Sequence, residues 1–342
     1  MIPTELLGWL IETVLTTSAL LLLVLLIRKP VALWSGPQWA FLLWLVPALR
    51  FLAALVPEKV LAPLVLLDTS WGATLGLAVQ SSLENVNQRS SVWLVLLLGV
   101  WLIGVAISTG RLIFEHLRLR SQLRSRSTRV DSKTRRLISR RSQDLGMHPG
   151  PEGRTLDARY GPAVIGIINP LLILPGDFTK AFSLKQQDLM IQHELMHLSR
   201  HDLIWNILAS FLQCLFWFNP LARFCEQRFR ADQELACDHS VIAAQARLDR
   251  RAYGQALLSA SQSRVSAAAA SFLDEGSLVR RRIRFITHCH QNPLSSMLGL
   301  SVLLLFVVWG STLGIAPSEF DLDSLVSTII ATEPIAFLGR CG

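Results

Sequence analysis

Charge is scarce in this sequence. Only 17% of the 342 residues are charged while 51% are hydrophobic, and the mean hydropathy is +0.40. An ordinary soluble domain carries about 25% charged residues, so the composition points to a membrane protein. Paired cysteine patterns are also missing. The five cysteines, at 214, 225, 237, 289 and 341, show no CxxC spacing and no even framework. That excludes a zinc ribbon or a disulfide scaffold and leaves the thiols as small apolar residues in a reducing compartment. The first apolar run lacks a basic leader and a small-residue cleavage site, so it reads as a signal anchor and not a cleaved peptide.

What is present is a set of long apolar runs. Residues 6–27 are long enough to cross a hydrocarbon core of about 30 Å, and similar runs cover 39–56, 92–108 and 297–315. Loop charge sets the orientation. Arg28 and Lys29 follow the first run with no acid nearby, and residues 111–141 hold eleven arginines and lysines. The tail at 316–342 carries Glu319, Asp321, Asp323 and Glu333 against Arg340 alone. The expectation is a multi-pass protein of a bacterial cytoplasmic membrane, with both termini outside and a large cytoplasmic segment, 109–296. The formal charge of +8 therefore marks cytoplasmic loops and not nucleic-acid binding. The basic stretch 118–141 has no interleaved aromatics to stack bases and reads as a lipid-hugging exit from the third span. Glu12 and Arg50 lie inside apolar runs, where ionisable groups either serve function or pair locally.

The chemistry sits in "HELMH". His193 and His197, four residues apart on a helix, share one face and can share a tetrahedral metal. Glu194 beside them is placed as the general base. Ser183 is the expected N-cap of that helix, with Gln186 completing a capping box. Further on, "ADQELACDH" puts Glu234 and Asp238 at the same i, i+4 spacing. Glu234 is then a third ligand that leaves a fourth position for water, and Asp238 is an acid able to accept the outer ring N–H of a ligand histidine. HExxH followed by ExxxD resembles the thermolysin-like gluzincins.

A longer stretch, "HELMHLSRHDLIWNILASFLQCLFWFNPLARFCEQRFRADQELACD", resembles the BlaR/MecR family of integral-membrane zinc peptidases in HExxH, in Arg200-x-Asp202, in FWFNP and in ELACD. The resemblance implies one zinc ion held by His193, His197 and Glu234, with Glu194 as base and acid and Asp238 behind the ligands. It also implies a mainly α membrane protein of about four transmembrane helices, with a cytoplasmic α+β gluzincin-like domain between the third and fourth. The corresponding division is 1–108 membrane domain, 109–296 peptidase domain, 297–315 fourth span and 316–342 external tail. Family members that sense antibiotic continue into an external penicillin-binding domain. Here about 27 residues without S-x-x-K follow the last run, so direct β-lactam sensing by this polypeptide is not expected.

One zinc cannot bind both motifs if 203–224 crosses the bilayer. The segment is therefore expected to turn back at Asn219-Pro220 as a membrane-associated hairpin. His201 and His239 are candidate oxyanion stabilisers. Val164, Ile165, Gly166 and Ile167 are candidates for an edge strand that pairs with extended substrate. The small polar stretch 259–276 is a candidate for self-cleavage. Three functions remain open at this stage. The first is an endopeptidase acting on a cytosolic or membrane protein such as a transcriptional repressor, with a separate sensor protein or a homo-oligomer as further partners. The second is a CAAX-type or quality-control protease, and the third a non-enzymatic transducer held together by zinc.

Overall fold

The computed structural model describes residues 2–53, 91–157, 161–244, 249–263, 272–288 and 299–304. The chain opens with α1 (Ile2–Trp34), α2 (Pro37–Leu42) and α3 (Leu45–Ala53), then α4 (Ser91–Arg126), β1 (Thr128–Arg129) and α5 (Ser132–Asp144). There follow β2 (Glu152–Leu156), β3 (Ala163–Ile165), β4 (Leu171–Pro175), α6 (Phe178–Ala181), α7 (Leu184–Ser199), α8 (Asp202–Leu215) and α9 (Pro220–Ala243). Last come α10 (Arg250–Ser263) and α11 (Phe272–His288). Among the described residues, two helices are long and apolar enough to cross a membrane, at Leu10–Trp34 and Val95–Leu123. The chain divides into two compact units, Val24–Trp44 with Gly104–Leu303 forming one and the remainder the other.

Two of the four expected spans look different in detail. The third continues without a break into a 36-residue helix, α4, about 54 Å long at 1.5 Å per residue, so the first part of the basic stretch is helical. The second run is not one helix. It divides at Leu43–Trp44 between α2 and α3, because Pro47 has no N–H to offer the Leu43 carbonyl and tolerates only the first turn of a new helix. The Trp44 N–H instead closes a turn on the Phe41 carbonyl at 3.2 Å. The fourth run is described only at 299–304, which are helical; its remainder, the loop 57–90 and the tail lie outside the described residues. So does 264–271, the middle of the stretch considered for self-cleavage. In the remainder unit, Glu12 and Arg50 lie 3.9 Å apart with little exposure, the local pairing that buried ions in an apolar segment need.

The other unit carries the site. Its sheet runs β1-β2-β4-β3, with β2 and β4 parallel and both outer pairs antiparallel. Leu172 and Leu174 of β4 pack with Ile191 and Leu195 of α7 and with Phe178, all 2% exposed or less. A second core joins α7, α9, α10 and α11 through Leu189, Cys237, Val241, Tyr253 and Ile286. Helix α7 starts at the expected capping box, with Ser183 and Gln186 bonding reciprocally. It ends at Arg200, and His201 follows at φ 58. In that left-handed conformation the chain turns sharply into α8. After α8 the chain turns again, and Asn219 caps α9 by accepting the Leu221 N–H at 2.9 Å, with Pro220 in the first helical position. The path is therefore three helices with two breaks, where the sequence announces only the second.

Candidate metal centre

Both histidines of HELMH present the same nitrogen inward. Each outer nitrogen is already engaged: His197 Nδ1 meets Asp202 Oδ2 at 2.7 Å, and His193 Nδ1 meets the Tyr253 hydroxyl at 2.8 Å. The Nε2 atoms face Glu234, at 3.5 Å from Oε2 for His193 and 3.7 Å from Oε1 for His197. An ion with bonds of about 2.0–2.1 Å to nitrogen holds tetrahedral neighbours roughly 3.3 Å apart, close to these separations. The donor set thus suits a three-ligand zinc site with its outer supports in place.

A different trio also comes together. His193, His197 and Cys237 each bring one ligand atom within 4.8 Å of the others. The Cys237 sulfur, however, lies 3.6 Å from His193 Nδ1, the nitrogen that Tyr253 engages. Glu234 is on the side to which both rings turn Nε2.

The electrostatics call for a cation. Burial disfavours a charged imidazole, yet the Cys237 sulfur and the Glu234 carboxylate outweigh it and push His193 up to about 10. His197 moves the same way, with Cys237 and Asp202 overcoming burial. Burial also opposes ionisation of Glu234, but Arg282 and the two imidazoles hold its carboxyl well below the ordinary range. The carboxylates of Asp202, Glu234 and Asp238 are met by the guanidinium groups of Arg200 and Arg282. A cation shared by the two Nε2 atoms would supply the positive charge that these shifts favour.

Glu194 is 8% exposed on α7. Asp238 is fully buried behind His193 and acts on it at one remove. It lies 3.6 Å from His193 Nδ1, and the Tyr253 hydroxyl intervenes, donating to Asp238 Oδ1 at 2.7 Å. Support of His193 therefore runs through a tyrosine on α10. His201 is exposed and carries the left-handed turn. His239 packs its ring 6.2 Å from that of Phe285, and its pKa is lowered by burial and by the charge of Arg200. Val164 and Ile165 lie on β3, an edge strand of the sheet, and Val164 packs on the core that contains α7. Gly166 at φ 93 begins the turn that leads back to β4, and Ile167 follows in it.

A family model described as BlaR1 peptidase M56 matches residues 9–286. The chain belongs to that family. The regulatory protein BlaR1 of Bacillus licheniformis is 24% identical over 245 residues, 70% of this chain and 40% of that protein. The methicillin resistance mecR1 protein of Staphylococcus aureus is 30% identical over 129 residues, 36% of this chain and 22% of that protein. The chain thus spans less than half the length of these relatives. With its apolar helices, this member of the BlaR1 peptidase family is mainly helical and membrane-associated.

Three groups at the centre escape sequence reasoning. Asp202 is visible as part of an R-x-D phrase, but five residues from His197 is not a helical spacing, and only the break at His201 brings it back. Tyr253 is one of two tyrosines in the chain and has no motif around it. Arg282 hides among four arginines in "RRRIR".

Proposed function

We propose that the protein is a membrane-embedded zinc endopeptidase of the bacterial cytoplasmic membrane. Its peptidase domain lies on the cytoplasmic side, and it cleaves a regulatory protein, such as a transcriptional repressor, during signal transduction. The observation that carries this reading is the convergence of two Nε2 atoms on Glu234 while both Nδ1 atoms are held from behind. His193, His197 and Glu234 hold one zinc ion, which when bound supplies Lewis acidity and a more acidic water. Asp202 and the Tyr253–Asp238 pair fix the imidazole tautomers and aim Nε2 inward. Glu194 takes the proton of the attacking water and returns it to the departing amine. The free edge of β3 pairs with the extended substrate backbone.

The hairpin answers why such a site adjoins apolar chain. Phe211, Trp217, Phe218 and Phe224 are 38–44% exposed, and the Trp217 ring sits where a side chain at Gly104 would be. Gly104 lies within the second membrane-spanning candidate. That contact supports a hairpin tip resting at bilayer depth, which suits a peptidase whose substrates approach along the membrane.

The test is a Glu194→Gln protein expressed in parallel with the unaltered one. The variant is expected to keep one zinc per chain while fragments of membrane and cytosolic proteins, including any fragment of the chain itself cut within 259–276, disappear. Unchanged fragments would remove the assigned role.

A further inference from the structure

Arg282 enters the centre from α11, and its contacts divide the Glu234 carboxylate in two. The guanidinium forks onto Asp238, with Nε to Oδ2 at 2.8 Å and Nη2 to Oδ1 at 2.8 Å. Its remaining arm, Nη1, lies 2.8 Å from Glu234 Oε2. Glu234 Oε1 is left facing His197 Nε2 at 3.7 Å. We infer that Arg282 is a positioning residue that holds Glu234 to one-oxygen ligation and so keeps a coordination position open for water.

The inference rests on the zinc-site reading and deepens it. A carboxylate with both oxygens free can chelate, and the second oxygen then fills the position a hydrolytic site keeps for water. A guanidinium on Oε2 draws that oxygen toward Arg282 and disfavours chelation, because a charge-assisted bond is strong and directional. The arm is itself pre-set. Asp238 is fully buried and also receives the Tyr253 hydroxyl. The preceding residue, Arg281, bonds Asp232 at 3.0 Å, so α11 is pinned to α9 at two acids. Arg282 Nη2 also lies 3.1 Å from His193 Nε2. That contact gives way when an ion takes the single lone pair, whereas the carboxylate oxygens have lone pairs to spare.

The experiment uses the full chain purified in detergent and loaded with cobalt(II), whose visible spectrum reports coordination number. Wild type is expected to bind one ion per chain with the intense absorption of a four-coordinate site. Arg282→Gln should bind a similar amount with the weaker absorption of a five-coordinate site, and Arg282→Lys, which lacks the third arm, should behave alike. A purely structural role would lower stability and metal content while leaving the spectrum of the bound fraction unchanged. Unchanged spectra in both variants, or loss of metal by both, overturn the inference. A wild-type chain that binds no metal refutes the zinc reading instead.

Discussion

Replacing Asp202 with asparagine should weaken zinc binding by 10- to 100-fold without unfolding the protein. Asp202 is 1% exposed and its Oδ2 lies 2.7 Å from His197 Nδ1 and 3.2 Å from Arg200 Nε. An asparagine oxygen can still accept from Nδ1–H, so the ring stays in place, but the charge that makes Nε2 a better donor is lost. Changes to such outer partners typically reduce metal affinity about 10- to 100-fold, or about 1.4–2.7 kcal/mol. Asp202 is also the first residue of α8, where a negative charge contributes about 0.3–1 kcal/mol to the helix. The two effects separate experimentally. A chelator competition on the purified chain reads zinc affinity, and thermal unfolding with the chelator in excess reads the metal-independent part. The reasoning fails if Asp202→Asn and Asp202→Ala both retain wild-type affinity. It fails equally if all of the loss is reproduced in the unfolding of the chelated protein.

Two further outcomes follow from buried contacts. Tyr253→Phe removes the hydroxyl joining His193 Nδ1 to Asp238 at 2.8 and 2.7 Å and leaves a buried ring nitrogen with only the Cys237 sulfur, a weak partner at 3.6 Å. Stability should fall by about 1–3 kcal/mol, and zinc affinity should fall with it, read by calorimetry and by the same competition. Arg28→Met withdraws one holder of Asp232, which is 1% exposed and bonds Arg28 at 2.7 and 2.8 Å, Trp44 at 3.1 Å and Arg281 at 3.0 Å. Breaking one side of a buried ion pair costs about 3–5 kcal/mol, so the melting temperature should drop sharply. Arg28→Met with Asp232→Leu should recover part of that loss, and a double variant as unstable as the single one would contradict the pairing argument.

The ligand face of α7 was legible because a helix repeats every 3.6 residues, so His193 and His197 share a face in any fold that keeps the helix. The same holds for Glu234 and Asp238 on α9, and for the Ser183 capping box, whose bonds are local. The turn at Asn219-Pro220 is equally local, since proline cannot continue a helix. The division of 39–56 was missed because an apolar run of span length masks the effect of Pro47. The break at His201 was missed because histidine is a rare occupant of the left-handed region.

By itself, then, the sequence determined which helices carry the proposed ligands, which side chains share a face, and where the chain is apolar enough to meet lipid. Those properties depend on residues a few positions apart and on composition. Only the tertiary structure decided what stands behind each ligand. Asp202, Tyr253 and Arg282 lie 5, 60 and 89 residues from the histidines they meet, and contacts across such separations exist only once α8, α10 and α11 have packed on the ligand helices.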